Sequence, residues 1–142
     1  MRYRMGAALL SLIGLLVATY LYLFKLGLIP GLACGTGGCE TVQSSPWATF
    51  LGLPVALIGV LGYVACLACA LIGMQQPEGK RHWSDALLLA GTAAGVAFTG
   101  WLTYAEAVLI EAWCRWCIGS AVIIALLFLC ALLGWRSLRP AA

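Results

Sequence analysis

Four long apolar runs fill most of this chain and restrict it to one architecture. They cover about 6–28, 53–73, 85–109 and 114–135. Each is long enough to cross a hydrocarbon layer of roughly 30 Å at about 1.5 Å of rise per residue. Lipid offers no hydrogen-bond partner to a backbone N–H or C=O, so each segment must satisfy its own as a helix. Leu, Ala and Gly dominate without sustained alternation, which argues against a barrel. Composition closes the alternatives. Apolar residues make up 63% and charged residues 9%, against roughly 25% charged in an ordinary soluble domain. The mean hydropathy is +1.01. A soluble globule and a disordered chain are both excluded. A net charge of +3 gives no reason to expect a nucleic-acid partner. The expected fold is an all-α membrane protein, a bundle of four transmembrane helices in the lipid bilayer. It is read as a single domain over 1–142, with no internal repeat.

The basic residues predict an orientation. Arg2 and Arg4 precede the first run, Lys80 and Arg81 lie between the second and third, and Arg136 and Arg139 follow the fourth. The positive-inside rule makes that side cytoplasmic, with both termini on it. Lys25 and Arg115 fall on the other side, offset by Glu40, Glu106 and Glu111. The first run has basic residues before it, like a signal peptide. No small-residue cleavage site follows, so it reads as a retained helix. The longest connection, 29–52, is then a periplasmic loop rich in Gly, Ser and Thr. Ser84 is the expected N-cap of the third helix. Gly91 and Gly95 form a small-xxx-small pair that would let that helix pack closely.

Seven cysteines are many for so short a membrane chain, and their placement is informative. Cys34 and Cys39 lie in the outer loop, in CGTGGC. Cys114 and Cys117 form C-R-W-C at the outer mouth of the fourth run. Outside the cytoplasm, disulfides persist. A C-x-x-C at a helix start brings two sulfurs within bridging reach, and the helix N-terminus, with Arg115, favours a thiolate on the first cysteine. Two such pairs on one face could pass electrons by thiol–disulfide exchange. The alternatives are two static disulfides, or four thiolates around a soft metal ion. Cys66, Cys69 and Cys130 lie deep in the second and fourth runs, where cysteine usually acts as a small apolar residue. Trp47, Trp113 and Trp116 read as an interfacial aromatic belt, and Glu106 and Glu111 as interfacial carboxylates, with a proton relay as the alternative for Glu106.

In order along the chain, these residues resemble the vitamin K epoxide reductase family in its short bacterial form. The likeness rests on the loop pair Cys34 and Cys39, then Ser45 in C-E-T-V-Q-S-S-P-W. It continues with G-x-P-V-A-L-I-G at Gly52, Pro54 and Gly59, and ends on the C-x-x-C of Cys114 and Cys117. DsbB-type quinone oxidoreductases share the chemistry but carry the C-x-x-C before the loop pair. The resemblance implies a membrane thiol:quinone oxidoreductase of the bacterial inner membrane, with its redox site on the periplasmic face. By the same implication Cys117 faces a quinone, menaquinone or ubiquinone. Cys114 is its disulfide partner and exchanges with Cys39, Cys34 exchanges with a thioredoxin-like protein, and Ser45 helps hold the quinone. Some bacterial members carry a fused thioredoxin-like domain. This sequence has only seven residues beyond Trp135, so the partner is expected in trans. Where animal enzymes have a tyrosine linked to warfarin-type inhibitors this chain has Ala121. The competing function is a transporter or binder of soft metal ions such as mercury. It would need ligands leading inward through the membrane, and the inner loop has no cysteine.

Overall fold

The computed structural model describes residues 2–28, 46, 49–50, 52–76, 82–110 and 115–138. Four helices dominate it: α1 (Arg2–Lys25), α2 (Val55–Gln75), α3 (His82–Tyr104) and α4 (Arg115–Leu138). A π-helical segment, Ala105–Ile110, continues α3. All four are long and apolar enough to cross a membrane. They form a ring in which each helix packs on its two chain neighbours and α1 closes against α4; the α2–α3 seam is the loosest.

Heptad-like spacing on the inner faces explains the ring. The buried positions of α1 are Arg4, Ala7, Ser11, Gly14, Ala18 and Leu21, alternating steps of three and four. Those of α2 are Ala56, Tyr63, Cys66, Ala70 and Gly73, on the same spacing. A seam repeating every 3.5 residues winds neighbouring helices around each other with a left-handed twist. Most of these residues are small, so the backbones approach closely, as van der Waals packing in lipid requires. The outward faces carry large apolar residues such as Leu9, Leu16, Leu61 and Leu129, exposed to the surroundings of the bundle.

The helix ends differ from the sequence expectation in instructive ways. α1 stops at Lys25 instead of running to position 28. Gly27 adopts φ +81°, and its N–H donates to the Phe24 carbonyl at 3.0 Å while that of Leu28 donates to Leu23 at 3.1 Å. This is a Schellman cap, and it ends a helix however apolar the next residues are. α2 begins at Val55 rather than position 53, because Leu53–Pro54 pairs antiparallel with Thr49–Phe50, a short β-ribbon that the apolar pattern did not predict. Gly52, φ +83°, makes the tight turn. α3 begins at His82, so Ser84 lies inside the first turn and is buried instead of capping it.

The start of α3 holds the charged part of the core. The Arg4 guanidinium, from α1, donates through Nε to Asp85 Oδ1 at 3.2 Å and through its other arm to Asp85 Oδ2. Both side chains are more than nine-tenths buried. Gly73 of α2 leaves room for them: a Cβ there would stand 3.1 Å from Ser84 Oγ and 3.2 Å from Arg4 Nε. Three helices therefore converge on one ion pair at this end of the bundle. Asp85 also sits in the first turn of α3, where the helix dipole favours a carboxylate.

Candidate active site

The opposite end of the bundle holds Cys117. It lies in the first turn of α4, on the stripe 117, 120, 124, 127, 131. Ile124, Leu127 and Ala131 of that stripe are buried in the core, and Cys117 and Ser120, at its start, are half-buried. The same 3,4 spacing that packs α4 thus carries Cys117 inward. Beside it, Trp116 packs on Tyr20 of α1, ring centroids 5.1 Å apart at 55°. Both belong to a small apolar cluster around Leu21 and Ala56. Trp116 therefore packs into the bundle, beyond the belt role expected of it.

A cavity of about 390 Å³ opens next to Cys117. Its walls come mainly from α2 and α3, with Ala18 and Leu21 of α1 and Cys117, Ser120 and Ile124 of α4 behind them. Missing side-chain volume creates it. Gly62 on α2 and Gly91 on α3 both line it, and a Cβ at either would meet nothing within 4 Å. The expected Gly91/Gly95 packing pair is thus divided in its work. Gly95 makes the close contact, since a Cβ there would lie 3.0 Å from Ile124 Cγ1, whereas Gly91 faces open space. The lining is largely apolar, with a few polar groups.

Two of those polar groups, Tyr63 and Ser120, meet one turn from Cys117. Tyr63 of α2 reaches across the bundle, its hydroxyl 3.1 Å from the Ser120 carbonyl and 2.8 Å from Ser120 Oγ. Ser120 is one helical turn from Cys117. Tyr63 can lie there only because position 14 is glycine: a Cβ on Gly14 would come within 2.2 Å of the ring. Tyr63 and Ser120 line the cavity, as do Thr99 and Thr103. The Thr103 hydroxyl is turned back to the Thr99 carbonyl at 2.9 Å. Glu106, on the π-helical segment, also lines the cavity and is only 3% exposed. Among the described residues it is the only carboxylate in the lining.

Of the residues the sequence singled out, Cys117 is in the cavity wall. Cys34, Cys39, Ser45 and Cys114 lie outside the described residues, as do Trp47, Trp113 and Glu111. Cys130 packs against the core near Gly6, its sulfur 3.6 Å from where a Cβ on that glycine would be. Cys66 and Cys69 pack in the core too, and both also line the cavity, which their depth in the second run did not suggest. The sequence reading missed Tyr63 and Ser120 entirely. The only signal was that each falls on its helix's inward stripe; their meeting across 57 positions was not legible. Among the described residues no three His, Cys, Asp or Glu side chains are grouped to hold a metal ion.

Fold and site together define a class: a helical membrane protein of four spans with three cysteines and a carboxylate lining one largely apolar cavity. The chain belongs to the vitamin K epoxide reductase family, whose family model matches residues 6–132 and so covers nearly all of the bundle. That family consists of membrane thiol–disulfide oxidoreductases and is linked to quinone-based redox chemistry.

Proposed function

We infer that this protein oxidises thiols outside the cytoplasm and delivers their electrons to a quinone, menaquinone or ubiquinone, in the cavity beside Cys117. The observation that carries this reading is the half-buried Cys117 in the wall of a largely apolar cavity of about 390 Å³. An isoprenoid quinone needs such a site: mostly hydrophobic, within the bilayer, with a few convergent polar groups. Family membership supports the redox class.

In this reading Cys114 and Cys117 give up two electrons and two protons as their S–S bond forms, and the quinone substrate leaves as quinol. Cys39 then attacks that disulfide and regenerates the dithiol, leaving a disulfide with Cys34. A thioredoxin-like partner in trans reduces the loop pair through Cys34, and is itself released oxidised. Each exchange trades one disulfide for another by thiolate attack. Ser45 helps hold the quinone. Tyr63 fixes the level of Ser120, and with it the turn of α4 that carries Cys117. The predominance of Lys and Arg at the opposite end supports a cytoplasmic location for both termini, and an inner-membrane protein with its redox face toward the periplasm.

Turnover is the test. Purified protein, decylubiquinone and a reduced thioredoxin-like substrate should yield quinol and oxidised substrate in equal amounts. Thiol oxidation proceeding at the same rate without quinone would overturn the reading.

A further inference from the structure

We propose that Glu106 is the proton donor to the quinone, a catalytic residue of the cavity; the proposal rests on the quinone reading above.

Three independent features of Glu106 point the same way. It is 3% exposed inside a segment long and apolar enough to span a membrane. Ionisable residues within membrane segments commonly mark proton paths. It also lines the cavity that Cys117 lines. Along α3 the cavity-facing positions step through Gly95, Thr99 and Thr103 and arrive at Glu106, so the residue ends a continuous inward stripe. Finally, it lies in a six-residue π-helix, Ala105–Ile110. Such segments are rare, and they concentrate at functional sites.

The reaction needs such a group. When the Cys114–Cys117 disulfide forms, two S–H bonds break and the electron pair enters the quinone. The two quinone oxygens must then gain two protons in an apolar cavity. Glu106, as the acid, gives its proton to the nearer oxygen while the electron pair is transferred. The resulting carboxylate takes up a proton released by the cysteine pair. The second thiol proton reaches the other oxygen. Two thiols and one quinone become one disulfide and one quinol, and Glu106 ends as it began.

The experiment is an anaerobic single turnover. Full-length protein in detergent is reduced with dithiothreitol, freed of it, and mixed with decylubiquinone while quinone absorbance is followed. A general acid typically contributes about 10²–10⁴ in rate, so Glu106→Gln should slow quinol formation by at least about 100-fold. The quinone concentration giving half-maximal rate should stay unchanged. Glu106→Asp should recover most of the loss, and added acetic acid should accelerate a slow Glu106→Ala variant but not the wild type. A Glu106→Gln variant as fast as wild type overturns the proton role and leaves the quinone reading standing. So does a loss that appears only as weaker quinone binding, with no rescue by acetic acid. A wild-type protein that leaves decylubiquinone oxidised overturns the quinone reading and this proposal with it.

Discussion

Tyr63 depends on the absence of one methyl group. A Cβ on Gly14 would overlap its ring at 2.2 Å, and a packed core accommodates added volume only at a cost of about 1–3 kcal/mol. Gly14→Ala should therefore lower the unfolding midpoint in detergent, and Tyr63→Ala in the same chain should recover part of the loss. Two fully additive losses would contradict the contact. The deep cysteines make a second residue-scale prediction. Cys66 and Cys69 line the cavity and Cys130 packs beside α1, and the proposed relay uses the other four cysteines. Replacing all three by alanine should leave turnover within about threefold, well short of the tenfold that about 1.4 kcal/mol represents. A hundredfold drop with the fold intact would mean that a second thiol path crosses the bundle. The place of Cys117 at the start of the fourth helix was legible, because C-R-W-C opens the fourth apolar run. Glu106 was half-legible. Its charge near a span end admitted both an interfacial and a relay role, and the burial of its side chain in the cavity wall is what the proton-donor proposal adds to that reading.

At the scale of elements, the four helices could be read from hydropathy alone because lipid enforces it. Their ends could not, since they are decided by local geometry. α1 ends where Gly27 takes a left-handed φ of +81°. A residue with a Cβ pays about 1–2 kcal/mol there, so Gly27→Ala should destabilise the bundle by about that much in reversible unfolding; an unchanged or raised stability would contradict the cap. The Arg4–Asp85 pair was equally hidden. The sequence places Arg4 with the cytoplasmic charges and Asp85 at the edge of a span, and nothing in it joins positions 81 residues apart. Removing one partner strands a buried charge, at about 3–5 kcal/mol, whereas replacing both with apolar residues of similar size is often close to neutral. Arg4→Met alone should therefore be much less stable than Arg4→Met combined with Asp85→Leu. Equal losses in the single and double variants, read from chemical unfolding, would show that the pair is exposed to water.

The whole molecule has a charged lock where α1, α2 and α3 meet, and a cavity along the α2–α3 seam that runs from Leu87 and Leu88, close to that lock, to Glu106 and Cys117. The position of that cavity in the α2–α3 seam follows from glycines at 62 and 91 that contact nothing across it. Gly91→Phe should fill it and raise the quinone concentration needed for half-maximal turnover by tenfold or more, with helix content unchanged; unaltered quinone dependence would put the acceptor elsewhere. The thiol relay is tested by trapping. With Cys117 removed and Cys114 retained, a Cys39–Cys114 disulfide should accumulate under oxidising conditions, and mass spectrometry finding only Cys34–Cys39 would count against the relay. The central claim is that Cys117 delivers electrons to a quinone in this cavity. It is tested most directly by mixing fully reduced protein with decylubiquinone in the absence of oxygen and of any other thiol. Wild type should form quinol with loss of the Cys114 and Cys117 thiols, and Cys117→Ser should form none. Equal quinol from the Cys117→Ser protein would contradict the account.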